Sequence, residues 1–292
     1  MLDSPKALAF ANSTQVDNGT AYGEGKRLAV EILREATRWT GTTLVDLRLP
    51  NLFGEHGRPH YNSVVATFCA QLAAGERPTI LRDRELQLLH ATDAARLLLT
   101  TAAEDAGGDR GSDLYQRRTV ADLAARLRRF DALYRHGEIP ALADRFDVRL
   151  FNTYRSFCFP DRFPLPLPHH VDDRGGLVES VKVHGGGGQT FCSSTRPGVT
   201  RGDHFHLAKV ERFVVVSGEA EIALRRVAHD DVVRFRVRGD RPVAVDMPTM
   251  WAHSITNVGD RELVTLFWTN ELFDPTAPDT YPEPVLPAAA RA

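Results

Sequence analysis

Four side chains in the C-terminal part of the chain have the types and spacing of a metal-ligand set. His204 and His206 are separated by one residue in the stretch Gly198-Val-Thr-Arg-Gly-Asp-His204-Phe-His206-Leu-Ala-Lys-Val-Glu211, and Gly218 follows. Positions i and i+2 of an extended strand face the same way, so these two imidazoles point together. Glu211 lies five positions beyond His206, and His253 stands in Pro248-Thr-Met-Trp-Ala-His253-Ser-Ile-Thr-Asn257. Three imidazoles and one carboxylate suit a borderline divalent ion such as zinc, iron, manganese or nickel.

A second group lies near the start of the chain. Tyr22 and Lys26 are four positions apart in Tyr22-Gly-Glu-Gly-Lys26, so on a helix they share a face about one turn apart. A tyrosine beside a lysine ammonium has a lowered phenol pKa and becomes a usable proton donor or acceptor. The same pattern also fits a plain solvated helix start. Lysine is scarce here: of 36 basic residues only Lys6, Lys26, Lys182 and Lys209 are lysine.

Composition narrows the function classes. The 292 residues suffice for two domains, and 42% hydrophobic with 25% charged residues is a globular balance. A formal net charge of −2 gives no electrostatic case for nucleic acid or an anionic membrane as partner. Cys69, Cys158 and Cys192 are odd in number and far apart. They suggest neither a disulfide framework nor a thiolate metal site, in keeping with a reducing, cytoplasmic setting. No signal peptide and no apolar run of membrane-spanning length is expected.

The elements that must position these groups change character along the chain. A short strand is expected over 7–11, and Leu28, Ile32, Leu33, Ala36 and Trp39 recur at helical spacing. Strands over 44–49 and 79–81, with helices over 62–74 and 92–99 and a Thr119-capped helix over 120–130, complete an alternating α/β pattern. The stretch 159–170 carries four prolines and no period, the signature of a semi-rigid linker. Beyond it, strands are expected over 177–183, 189–194, 212–217, 220–227, 232–237, 243–247 and 263–268, with the glycine run 185–188 as a hairpin tip. Many short strands separated by Gly, Pro and Asp turns argue for an antiparallel barrel or jelly roll.

The first half resembles the second part of an extended short-chain dehydrogenase/reductase, a partial Rossmann-like domain. That resemblance implies Ser13 for polarising a substrate carbonyl, Tyr22 for exchanging the proton, and Lys26 for orienting the nicotinamide ribose. The family's opening strand, Gly-rich turn and helix, which cradle the cofactor pyrophosphate, have no counterpart before Tyr22. Tight binding of NADP(H) by this chain is therefore not expected. In the second half, Gly198, His204, His206, Glu211 and Gly218 fit the first cupin motif. Pro248, His253 and Asn257 fit the second, with Met250 at a position usually occupied by glycine.

Asp172-Asp-Arg174-Gly-Gly-Leu-Val-Glu179 and Gly202-Asp-His204 further resemble segments of the cupin nucleotide-sugar 3,5-epimerases, with Leu177 replacing an aromatic residue. With Pro50-Asn51-Leu-Phe-Gly54, Tyr61-Asn62-Ser63 and the closing segment 270–281, nearly the whole chain resembles the CapF-type family of bifunctional capsular polysaccharide enzymes. The proline linker 159–170 divides the chain into expected domains at 1–158 and 171–287, with a disordered tail expected at 288–292. The resemblance implies a homodimer, a zinc-bearing cupin and a UDP-linked 4-keto-6-deoxy-N-acetylhexosamine substrate. Epimerisation at C3 belongs to the cupin and reduction at C4 to the reductase half. Asn51, Tyr61, Asn62, Asp172, Arg174 and Glu179 become substrate contacts. With four ligands committed to metal, Lys209 or another residue of the barrel must serve as the base. Rival readings are an isomerase of a different deoxysugar, an iron dioxygenase, and a non-catalytic sugar-binding cupin.

Overall fold

Capping residues and apolar alternation set the elements of the first half. β1 (Ala7–Ser13) pairs in parallel with β2 (Thr43–Leu49), and α1 (Ala21–Thr40) connects them. Thr20 caps α1 by accepting from Gly23 N at 3.2 Å, and Gly41 ends it in the left-handed region at φ 70°. β3 (Asn51–Phe53), α2 (Val64–Ala73), β4 (Glu85–His90), α3 (Ala91–Ala103), a 3-10 turn at Ser112–Leu114, β5 (Gln116–Thr119) and α4 (Val120–Tyr134) follow. β4 lies between β3, which is parallel to it, and β5, which is antiparallel. The cap at Thr119 is present, its Oγ1 accepting from Asp122 N at 3.1 Å.

The strand expected over 79–81 does not form, and β4 takes its place further on. Pro78 lacks the N–H a ladder needs, and Leu81 is 96% exposed. Leu86, Leu88 and Leu89 of β4 instead go into the interior.

The computed structural model describes residues 5–103, 112–173 and 175–286. It forms two compact units, Met1–Phe68 with Arg77–Ala125, and Cys69–Glu76 with Arg126–Ala292. Arg174 and the expected tail at 288–292 lie outside the described residues.

The second unit holds α5 (Arg145–Cys158), β6 (Leu165–Pro166), β7 (His169–Asp172), β8 (Gly175–Val178), β9 (Gln189–Thr195), β10 (Thr200–Phe205) and β11 (Glu211–Ser217). After these come β12 (Glu219–Arg226), β13 (Val232–Arg238), β14 (Val243–Met247), β15 (Trp251–Asn257), β16 (Leu263–Thr269) and β17 (Tyr281–Pro282). Two five-stranded antiparallel sheets result, in the orders β13-β12-β15-β10-β17 and β6-β14-β11-β16-β9. Their inner faces meet at aromatic contacts such as Phe213 edge-on to His253, with ring centroids 5.7 Å apart.

Three local expectations change. The proline stretch is not only a spacer, because its β6 pairs with β14 through Leu165 and Pro166. β8 is shorter than the strand expected over 177–183 and pairs with β7. The glycine run 185–188 is a connection rather than a hairpin tip, since β9 pairs with β16 and not with β8. Packing also groups α5 with the sheets, in contrast to the division after 158 drawn from composition. Tyr134 and Arg155 reach the sheet as hydrogen-bond donors, Tyr134 Oη to Asp246 Oδ2 at 2.7 Å and Arg155 to the Met247 carbonyl at 2.7 Å.

Candidate metal centre

Strand register pairs His204 with His253, and the turn from β10 to β11 brings His206 and Glu211 to them. His204 on β10 is the direct antiparallel partner of His253 on β15, so the two side chains leave the same face of the sheet. A register shift between Gly202 and His204 re-aims the end of β10. Gly202 makes that bulge possible: at φ 108°, a Cβ there would lie 2.6 Å from the His253 carbonyl oxygen. Glu211 starts β11 on the facing sheet. One donor atom from each of His204, His206, Glu211 and His253 falls within 4.8 Å of the others. Three of the four are buried and His204 is half-buried.

The polar contacts leave the donor atoms turned to the centre. His206 Nδ1 lies 2.6 Å from the Asp279 carbonyl and His253 Nδ1 lies 3.2 Å from the Trp251 carbonyl. A carbonyl only accepts, so each Nδ1 carries the proton and each Nε2 keeps its lone pair for a ligand. His206 Nε2 is 3.0 Å from Glu211 Oε2. His253 Nε2 is 3.3 Å from the same oxygen, but without hydrogen-bond geometry, and is buried without a partner. A buried, unpartnered imidazole nitrogen aimed at a carboxylate and two further imidazoles fits a divalent ion. Burial, then the neighbouring His253 and His206, push His204 down to about 4, so it is neutral at pH 7. Burial alone would raise the Glu211 carboxyl, but the adjacent His206 and His253 hold it well below its ordinary value.

The Tyr22 group lies in the first unit. Lys26 Nζ donates to the Ala11 carbonyl of β1 at 2.7 Å and sits 5.9 Å from the centre of the Tyr22 ring. Tyr22 is 47% exposed, and Ser13 Oγ accepts from Gln15 N at 3.1 Å. The lysine is thus anchored against β1 beneath an accessible phenol.

Comparison with known proteins adds a family. Residues 170–281 match the polysaccharide biosynthesis C-terminal domain, and residues 4–114 match the NAD dependent epimerase/dehydratase family. A UDP-2-acetamido-2,6-beta-L-arabino-hexul-4-ose reductase from Pseudomonas aeruginosa is 33% identical over 279 residues, which is 94% of this chain and 74% of the relative. The crystal structure of the capsular polysaccharide assembling protein CapF from Staphylococcus aureus is 35% identical with a TM-score of 0.56. The match covers 95% of this chain and 78% of that one. The chain belongs to the CapF family. A stretch of 122 residues, 39% of this chain, is also 25% identical to the spore coat polysaccharide biosynthesis protein SpsL of Bacillus subtilis, covering 81% of that protein.

Of the remaining predicted contacts of this CapF family member, Asn51, Tyr61 and Asn62 belong to the first unit and Asp172 and Glu179 to the second. Asn51 Nδ2 donates to the Gln87 carbonyl at 3.2 Å, Tyr61 is exposed beneath the Arg58 guanidinium at 5.1 Å, and Asn62 adopts φ 52°. Asp172 ends β7 and is exposed, and Glu179 is exposed just beyond β8, its N–H donating to the Pro168 carbonyl at 3.3 Å. Lys209, predicted as a base, donates to the Pro278 carbonyl at 2.8 Å. Met250 adopts φ 64°, the left-handed geometry that accounts for a glycine preference at this position of the motif. Sequence reasoning missed Asp279, whose only signal was its place in the segment 270–281. Asn257, read only as part of a motif, proves to be a loop tie, its Nδ2 donating to the Thr195 and Arg261 carbonyls at 2.8 Å each. Among the described residues no helix is long and apolar enough to cross a membrane.

Proposed function

We propose that this chain modifies a nucleotide-linked sugar in polysaccharide biosynthesis. Its cupin half epimerises C3 of a UDP-linked 4-keto-6-deoxy-N-acetylhexosamine, and His204, His206, Glu211 and His253 would hold a divalent ion there. The observation that carries the reading is the set His204, His206, Glu211 and His253, with donors within 4.8 Å of one another and a buried, unpartnered His253 Nε2. A relative 33% identical acts, by its name, on a UDP-linked hexul-4-ose.

The proton on C3 is acidic because the C4 ketone takes up the charge left on its removal. Catalysis needs a base at C3 and a positive or donor group at the ketone oxygen. A divalent ion held by His204, His206, Glu211 and His253 would supply Lewis acidity or tie the two sheets together. Lys209 is the base if all four ligands are engaged, and it exchanges its Pro278 contact for the substrate. Asp172, Arg174 and Glu179 hold the nucleotide-sugar. The test is incubation with the keto sugar in deuterated water without nicotinamide. Deuterium is expected at C3, and its absence would sink the epimerase reading.

Reduction at C4 is a second reading, favoured by the match of residues 4–114 to the NAD dependent epimerase/dehydratase family. Ser13 holds the ketone oxygen, Tyr22 delivers the proton and Lys26 orients the ribose in a partial Rossmann-like domain, while NADP(H) supplies the hydride when bound. Titration with NADPH decides it: saturable binding supports a reductase role, and none removes it.

A further inference from the structure

The connection between His206 and Glu211 is short, partly buried and without regular structure, so its backbone groups must find partners outside a ladder. Its N–H groups converge on one segment. Those of Leu207, Ala208 and Lys209 donate to the Asp279 carboxylate at 3.0, 2.9 and 2.8 Å. Val210 N–H donates to Asn270 Oδ1 at 2.8 Å. The carbonyls are taken up from other directions: His206 by Met250 N–H at 2.9 Å, Ala208 by Asn152 Nδ2 at 2.6 Å, and Val210 by Asn270 N–H at 3.2 Å.

Three successive N–H groups in an irregular turn form a concave site for an anion. Here the chain fills it with its own carboxylate. Asp279 also uses its backbone, since its carbonyl accepts the Nδ1 proton of His206 at 2.6 Å. Its φ of 43° lies in the left-handed region, a conformation held only when neighbouring contacts over-determine it. One residue therefore shapes the turn that spaces two ligands and fixes the tautomer of the first.

We propose that Asp279 is a positioning residue of the metal centre and sets its affinity for a divalent ion. The inference rests on the metal reading of His204, His206, Glu211 and His253. Without the carboxylate, three partly buried N–H groups lose their acceptor. The turn then reshapes, and His206 no longer meets Glu211 and His253 at a common point. Partners behind a ligating histidine are worth about 10–100-fold in metal affinity.

The experiment measures the Zn²⁺ dissociation constant of the full chain by chelator competition, and the visible absorption of its Co²⁺ form. Wild type is compared with Asp279→Ala, Asp279→Asn and Asp274→Ala. Asp279→Asn keeps the shape and the carbonyl to His206 but places an amide against the turn N–H groups, and it carries the test if Asp279→Ala folds poorly. Both Asp279 variants are expected to bind about 10–100-fold more weakly, with an altered Co²⁺ spectrum. Asp274 lies in the same segment and its side chain accepts only locally, from Thr276 N at 2.8 Å and Thr276 Oγ1 at 2.7 Å. Asp274→Ala is expected to bind as wild type does. Unchanged affinity and spectrum in Asp279→Asn, or an equal loss in Asp274→Ala, would overturn the role of Asp279. Failure of the wild-type chain itself to bind Zn²⁺ or Co²⁺ would instead remove the metal reading.

Discussion

Replacing Asp246 by Asn removes the counter-ion from an arginine with no access to water. Arg212 is fully buried, as is Asp246, and their side chains form a two-pronged pair at 2.6 and 2.9 Å. Tyr134 Oη donates to the same carboxylate at 2.7 Å, and Arg155 Nε donates to that hydroxyl at 3.2 Å. Asn keeps the volume but leaves the Arg212 charge uncompensated inside the protein. Breaking one side of a buried pair costs about 3–5 kcal/mol, a large share of the roughly 5–15 kcal/mol that holds a domain folded. At about 2–4 °C per kcal/mol for a unit of this size, the melting temperature falls by roughly 6–20 °C. Calorimetry on metal-free protein measures it, following the transition of the second unit. The double variant Arg212→Met with Asp246→Leu removes both charges at similar volume and is expected to recover most of the loss. A fall below about 1 kcal/mol for Asp246→Asn, or a double variant no better than the single one, would refute the reasoning.

Burial opposes ionisation of Asp246, but Arg212, Arg155 and Tyr134 outweigh it and hold its carboxyl below the ordinary value. A depressed carboxyl contributes stability that is complete above its unfolded value of about 3.9 and is lost as pH falls through the lower folded value. Acid titration of the melting temperature should therefore be flatter below about pH 4 in Asp246→Asn than in wild type. Added Zn²⁺ at about 100 times its dissociation constant should stabilise the wild type by about 2.7 kcal/mol. The same addition should leave His253→Ala unmoved in thermal melts. Met250→Gly is expected to stay within about 1 kcal/mol of wild type in urea unfolding, because glycine relieves the left-handed backbone at φ 64° while loosening the unfolded chain. A loss well beyond that would assign the Met250 side chain a packing role.

The centre was legible because its signal is local. A strand repeat of two aims His204 and His206 together, and a histidine bounded by Pro248 and Asn257 marks the second strand. The supports were not legible for the opposite reason. Asp279, Asn270 and Asn152 reach the turn after His206 from distant parts of the chain, and no local pattern pairs them with that turn. Composition placed a boundary after 158 because prolines begin there. It could not show that Arg155 and Tyr134, polar residues on helices, are buried against the strand carrying Asp246. The stretch 79–81 holds the β-favouring Thr79 and Ile80 but finds no strand partner among the described residues, whereas register partners on β3 and β5 select Glu85–His90. Met250 looked like a plain departure from a motif until its positive φ showed the backbone the motif requires.

The measurement that bears most directly on the central claim is the rate of deuterium entry at C3 of the keto sugar in deuterated water. It compares Zn²⁺-loaded wild type with Glu211→Gln and His253→Ala, nicotinamide being absent throughout. Deuterium at C3 with the loaded wild type, and a rate at least about 100-fold lower in both variants, is the predicted result, since a group at the reacting centre is worth about that much. Exchange at the wild-type rate in variants shown to lack metal would contradict the account and place the chemistry elsewhere in the chain.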